Sequence, residues 1–291
     1  MRRSRLSGVL WGILGVLAAV AVWEGYKAIG PAEGVVVGDI VILPRTTDIA
    51  MPHTWDVLAR LFEPVTRAAG ADVLWWAVLQ AAAFSLGIAA LGWLLGVISG
   101  LALALLMQRW VTAESAVLPW VVLSQTVPLI AIAPLVRRWG SEIEIGSFQW
   151  ENWMSVAVIA SYLAFFPVAV SALRGLKSPP AADIDLFRAY AAGWWTTLLR
   201  LRLPSSVPYL LPALRLAAAN AVVGTVVAEV SIGLGGGIGR MIIEFAATAS
   251  GDPAKTYAPI LGAVLIGLVS AGLVALIGMG LKRFRRAEVT A

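Results

Sequence analysis

Six apolar runs, at 7–29, 73–107, 116–136, 153–173, 208–230 and 257–281, limit what this chain can become more than anything else in it. A helix rises 1.5 Å per residue, so about 20 apolar residues cross the hydrocarbon core of a bilayer. Each run is that long. Inside hydrocarbon no water satisfies backbone N–H and C=O groups, and runs of this length then have only the helix available to them. The fold class that follows is an all-α integral membrane protein with about six transmembrane helices. Composition agrees, since only 13% of the 291 residues are charged and 59% are hydrophobic, whereas soluble domains carry about 25% charged residues. The chain has no cysteine, which excludes a disulfide framework, thiolate metal sites and a cysteine nucleophile. The single histidine, His53, has no second histidine to share a metal with and reads as a loop residue. No metal or cofactor is expected.

The basic residues gather at the ends of the apolar runs, which is a topology signal and not a nucleic-acid stripe. Met1-Arg-Arg-Ser-Arg5 precedes a run of full spanning length with no small-residue cleavage pattern after it, so the first run reads as an uncleaved helix. With the N-terminus inside, Arg2, Arg3, Arg5, Arg109, Arg174, Lys177, Arg188, Arg200, Arg202, Lys282, Arg283, Arg285 and Arg286 face the cytoplasm. The other side receives Lys27, Arg45, Arg60, Arg67, Arg137, Arg138, Arg240 and Lys255, spread over longer loops. That bias predicts both termini cytoplasmic. The second run is too long for a simple crossing, and either begins with an interfacial turn at Trp75-Trp76 or is strongly tilted. Between 30 and 72 four prolines rule out one continuous helix, while 53–62 has the pattern of a short amphipathic helix on the outer surface. We divide the chain at 72, with an N-terminal span and outer loop before it and a transmembrane core over 73–291.

By this topology 174–206 is the largest cytoplasmic excursion. Phe187, Ala191, Trp194 with Trp195, and Leu198 recur at helical spacing. Pro179-Pro180 precede this stretch, and Pro204 is expected to close it, because proline breaks the backbone ladder. Asp183 and Asp185 lie near its start and Arg200 and Arg202 near its end, as the helix dipole favours. So short a helix needs a cover for its aromatic face. Either the membrane surface or a soluble partner would serve.

Asp185-Leu-Phe-Arg-Ala-Tyr-Ala191, followed by Leu203-Pro204 and Pro208, resembles the "EAA" signature of bacterial ABC importer permeases. Asp185 stands for the Glu, Leu186-Phe187 for the Ala pair and Ala191 for the Gly. Ser124-Gln-Thr-Val-Pro-Leu-Ile-Ala-Ile-Ala-Pro134, Leu201-Arg-Leu-Pro-Ser-Ser-Val-Pro-Tyr209, Leu214-Arg215-Leu and Ala228-Glu229 are similar to the branch that serves nitrate, sulfonates, taurine and thiamine-pyrimidine precursors. The resemblance implies a type I importer permease in the inner membrane, paired with a second permease subunit in a homodimer or heterodimer. It also implies cytoplasmic ATP-binding subunits and an extracytoplasmic solute-binding protein. The coupling loop would span about 177–206, with Asp185, Arg188, Ala191, Gly193, Trp195 and Pro204 as its ATPase-coupling residues. The chain itself would be no enzyme. An ion- or proton-coupled secondary transporter is the alternative, and it would need ionisable residues within spans, which are scarce here.

Four further residues are candidates for the translocation pathway. Gln125 and Thr126 sit in a proline-interrupted run, tolerated in lipid only where it is buried in protein or faces water. Helix–helix hydrogen bonding would account for them equally well. Asn220 and Glu229 interrupt the fifth run, with Glu229 expected near the outer end and in reach of water. Gly233-Leu-Gly-Gly-Gly-Ile-Gly-Arg240 lacks the lysine and hydroxyl of a phosphate loop and reads as a flexible turn before a short helix over 241–247.

Overall fold

The computed structural model describes residues 2–280, so Lys282, Arg283, Arg285 and Arg286 of the topology argument lie outside the described residues. In chain order the elements are α1 (Arg2–Ile29), a hairpin of Val35–Val37 with Ile40–Leu43, α2 (Thr54–Arg60), α3 (Leu74–Arg109) and α4 (Val111–Leu123). A 3₁₀ turn (Ser124–Thr126), α5 (Leu129–Ser141), a small hairpin of Glu144–Ile145 with Phe148–Gln149, and α6 (Asn152–Leu176) follow. Then come α7 (Ala181–Ala189), α8 (Trp194–Thr197), a π turn (Leu198–Arg202), α9 (Leu203–Ile232), α10 (Ile238–Ala247) and α11 (Ala258–Gly280), the last after a 3₁₀ turn (Ala254–Tyr257). Neither hairpin is visible in the apolar pattern. The long second run is one unbroken helix of 36 residues, with Trp75 and Trp76 in its first turn and no separate interfacial turn.

Among the described residues five helices are long and apolar enough to cross a membrane, and α4 with α5 forms a sixth element bent by 105°. The proline-interrupted run read at 116–136 is thus two helices with a sharp break between them. The reason is local: Pro128 has no N–H to continue the ladder, and the chain turns through Ser124–Thr126 before α5 begins. At one end of the pair Lys177, just past α6, is ion-paired with Glu114 near the start of α4. At the other, Arg137 near the end of α5 donates to Asn152 Oδ1, at the start of α6, over 3.2 Å. The bent pair thus runs the length of α6, about 37 Å at 1.5 Å per residue. Contacts at both ends of α6 are what a broken crossing makes.

The described residues form two compact units, one of 2–79 and 242–261 and the other of 80–241 and 262–280. In the first, the end of α1 is tied to the loop that follows it. Glu24 accepts hydrogen bonds from the Thr54 N–H and hydroxyl, both 2.7 Å, and lies 2.7 Å from His53 Nδ1. Trp23 Nε1 donates to the Pro52 carbonyl. Lys27 pairs with Asp48 at 2.6 Å and holds that carboxyl below its ordinary range through the hydrogen bond. The amphipathic helix expected over 53–62 is present as α2, seven residues long.

In the second unit α6 is the central strut, buried on most of its length. Small residues let its neighbours approach. On α3, Gly92, Gly96 and Gly100 fall one helical turn apart on one face, and a Cβ at these positions would meet α6 at 2.4, 2.6 and 2.7 Å. On the other side Gly224 of α9 faces the Ala160 backbone, where a Cβ would lie 3.1 Å away. Apolar clusters fill the space at three levels, around Ile159 and Ile232 at one end, Val168 and Ala217 midway, and Met107, Leu176 and Leu198 at the other.

The glycine ladder generates a prediction. Gly96→Val should lower stability by about 1–3 kcal/mol through overpacking, seen as a lower thermal midpoint of the detergent-solubilised protein. Gly87→Val, on the same helix with nothing within 4 Å of its would-be Cβ, should leave the midpoint close to wild type.

Candidate functional site

The polar segment between α6 and α9 consists of two helices, correcting the single helix expected from its spacing. α7 starts after Pro180 with Asp183 in its first turn and Arg188 in its last, the polarity that the helix dipole favours. Asp185 and Arg188 form an exposed pair at 3.1 Å on its surface. The chain then breaks at Ala191, the only non-glycine residue among those described with a positive φ, +51°. That conformation costs an L-residue about 1–2 kcal/mol, a cost that glycine would not carry. Ala192 N–H returns to the Phe187 carbonyl at 2.9 Å and closes the turn.

From Trp194 to Ile232 the backbone is helical without interruption. Pro204 therefore does not close the segment. The π turn at Leu198–Arg202 directly precedes it; by widening the ladder, that turn accommodates a residue with no N–H to give. Nor do Arg200 and Arg202 end a helix. Arg202 instead donates to the Leu176 carbonyl at the end of α6, 3.0 Å away. Trp194 and Leu198 turn inward onto α3 and α6, with the Arg109 guanidinium 5.1 Å above the Trp194 ring. Trp195 and Leu199, one residue on in each case, point outward and are 68% and 59% exposed. Leu186 and Tyr190 of α7 are exposed as well, near in sequence to the Asp185 and Arg188 pair, while nothing lies within 4 Å of where a Cβ on Gly193 would stand.

Gln125 and Asn220 come to one level, about midway along α6. Pro167 leaves the Leu163 carbonyl without its helical donor, and Asn220 Nδ2 fills that place from α9 at 3.2 Å. Pro128 also takes the i+4 donor from the Ser124 carbonyl, which keeps a long bond from the Val127 N–H at 3.4 Å, and the Tyr162 hydroxyl donates to it from α6. Gln125 sits half-buried beside this contact, with Nε2 3.2 Å from Ser124 Oγ. Thr126 is exposed and bonds back to the Leu123 carbonyl at 2.8 Å. Tyr162 and Pro167 were not singled out from sequence, although a proline four residues after an apolar position already signals an orphaned carbonyl.

Glu229 is not at this level. It lies nine residues further along α9, about 13 Å away at 1.5 Å per residue, and the expectation that it reaches water is overturned, since it is fully buried. Ser85 Oγ of α3 donates to its carboxyl group, 2.7 Å from Oε1, and itself accepts the Ile238 N–H at 2.9 Å. The Gly239 N–H donates to Oε2 at 2.8 Å. Two of the four N–H groups that begin α10 are thereby satisfied by side chains of α3 and α9. A Cβ at Gly237 would lie 2.3 Å from Oε1, and one at Gly239 2.6 Å from the Glu229 Cβ. The glycine run is thus less a flexible turn than a fit around one carboxyl group, with Gly233 at φ +71° as the left-handed cap of α9. Ser85 carried no signal in the sequence.

Residues 92–283 match the family described as binding-protein-dependent transport system inner membrane component. The formylaminopyrimidine transport permease protein ThiX of Halalkalibacterium halodurans is 35% identical over 189 residues, covering 64% of this chain and 69% of that one. A putative aliphatic sulfonates transport permease protein, SsuC, of Bacillus subtilis is 29% identical over 197 residues, 68% and 67% of the two chains. The nitrate import permease protein NrtB of Leptolyngbya laminosa is 28% identical over 227 residues, 78% and 74%.

Glu229→Leu should cost about 1–3 kcal/mol, the penalty of stranding the buried Gly239 N–H and the Ser85 hydroxyl. Glu229→Gln keeps an acceptor oxygen and should cost less. Thermal midpoints of the two variants in the same detergent check this order, and equal midpoints would contradict it.

Proposed function

The chain belongs to the binding-protein-dependent transport system inner membrane component family, and on that premise we propose how this permease of an ABC transporter works as an importer. It is a multi-pass protein of the inner membrane and catalyses no reaction of its own. Its partners in the proposed assembly are a second permease subunit, two cytoplasmic ATP-binding subunits and an extracytoplasmic solute-binding protein. Both termini and the segment 177–206 face the cytoplasm in this reading, in line with the bias of basic residues.

The observation that carries the proposal is the exposure along that segment of Leu186, Tyr190 and Trp195, near in sequence to Asp185 and Arg188. Large apolar and aromatic side chains among charges are what a docking surface offers, and isolated they would be left in water. We assign them to the ATP-binding subunit. Trp194, Leu198 and Arg202 anchor the inner face on α3 and α6, so a push on α7 and α8 passes into α9 without a joint at Pro204. The solute path in this reading passes the break between α4 and α5, where Gln125 and Thr126 lie near the mid-level of α6. Broken helices with polar groups at mid-depth are where transporters bind their cargo. Asn220 and Glu229 support it by fixing α9, since their polar atoms are engaged by Leu163, Ser85 and Gly239.

The solute we propose is small and polar, of the sulfonate, nitrate or pyrimidine-precursor class, after the relatives named above. A secondary transporter would need titratable groups along the path, whereas the buried Glu229 is engaged in holding α10.

The coupling assignment predicts that Asp185→Lys or Ala191→Arg leaves the protein inserted and folded but uncoupled. Solute-stimulated ATPase activity of the assembled transporter in proteoliposomes should fall roughly 5–150-fold, the range of a lost coupling energy. Stimulation at the wild-type level in both variants would remove the segment from the coupling path.

A further inference from the structure

We propose that a groove formed by α3, α9 and α11 binds a phospholipid with an anionic headgroup, its acyl chain in the groove and its phosphate on Arg215. The groove has a volume of about 380 Å³ and is lined by residues such as Leu86, Ala90, Trp93, Ala218 and Leu273. Its one polar lining side chain, Ser270, is turned back onto the Gly267 carbonyl at 2.9 Å. A polar solute in such a groove would give up its hydrogen bonds to water for nothing, so the lining selects hydrocarbon. The rim belongs to membrane-spanning helices, with Leu276 and Ile277 58% and 42% exposed.

Arg215 supplies the second half of the site. It precedes Ala218 of the groove by one turn of α9 and, among the described residues, makes no hydrogen bond or ion pair. A charged side chain within a spanning helix ordinarily has a partner. Beside it is Gly278, whose Cβ, if present, would stand 3.8 Å from the guanidinium, so α11 leaves the charge uncovered. Trp93 on the groove wall fixes the neighbouring backbone by donating to the Leu214 carbonyl at 3.1 Å. In sequence the apolar run ends at Leu281, three residues beyond Gly278, and Lys282 begins the basic tail. A long guanidinium stem reaches across such a distance to the headgroup level. An apolar slot ending in a cation with no partner among the described residues is complementary to one kind of membrane component, an acyl chain with an anionic head.

The test is native mass spectrometry of the full-length, delipidated protein titrated with phosphatidylglycerol or phosphatidylcholine. We expect phosphatidylglycerol to be retained in preference, and Arg215→Gln to weaken its binding about fivefold. Arg215→Lys should keep most of the preference, and Ala90→Phe should reduce both lipids by filling the slot. Equal retention of the two lipids, or an unchanged Arg215→Gln variant, overturns the proposal. So does loss of solute uptake in Arg215→Gln with lipid binding intact, which would give the arginine to the solute path. A change of oligomeric state in Ala90→Phe without loss of lipid would give the groove to a second copy and overturn it as well. Should Arg215→Gln fail to insert, the lysine and phenylalanine variants carry the same comparison.

Discussion

A carbonyl that loses its regular helical donor is expensive in hydrocarbon, several kcal/mol where nothing else satisfies it, and the middle of this protein is organised around two such carbonyls. Pro128 and Pro167 each withdraw a backbone N–H from the carbonyl four residues before. Tyr162 and Asn220 return the donors, and they do so through adjacent residues of α6, one giving at position 162 and the next receiving at 163. Three crossings are thereby tied at one depth. The bend between α4 and α5 is tolerable because its exposed carbonyl is answered from α6, and α6 keeps its own proline because α9 answers in turn.

That arrangement requires helices that nearly touch. An asparagine amide reaches a neighbouring backbone only when little stands between, and Gly224 with the alanines of α6 supplies that closeness. On the opposite face Gly92, Gly96 and Gly100 do the same for α3. Close backbone approach is how spans hold together when lipid tails are as apolar as leucine and burial alone offers no gain. The same logic recurs around Glu229, where Gly237 and Gly239 admit the start of α10 onto a carboxyl group that would otherwise be stranded.

The spans themselves were plain in the sequence, because a run of some twenty apolar residues has few other uses. The glycines of α3, four residues apart, were passed over in the sequence, and only their contact with α6 gives them a role. The bend at 124–128 was not, since its prolines fit a kinked helix as well as a broken one, and the choice rests on tertiary donors such as Tyr162. Glu229 misled for a related reason. Its place near the end of an apolar run suggested water, while the residues that enclose it, Ser85 and Gly239, come from distant sequence and from a glycine run that resembled a loop. In the polar segment, helical spacing continued through Ala191 in the sequence, yet the backbone turns left-handed there, and nothing in a residue count reveals that.

The π turn at Leu198–Arg202 sets a condition on length. It holds one more residue than a regular helix would in the same rise, and the inward pair Trp194 and Leu198 and the outward pair Trp195 and Leu199 are placed by that count. Removing or adding one residue between Gly193 and Pro204 would rotate everything before it by about 100°. Trp195 would swing from solvent toward the helix bundle, and Trp194 out of its packing. The number of residues in this stretch thus fixes which side chains face the bundle and which face outward, whatever the chemistry of the exposed ones.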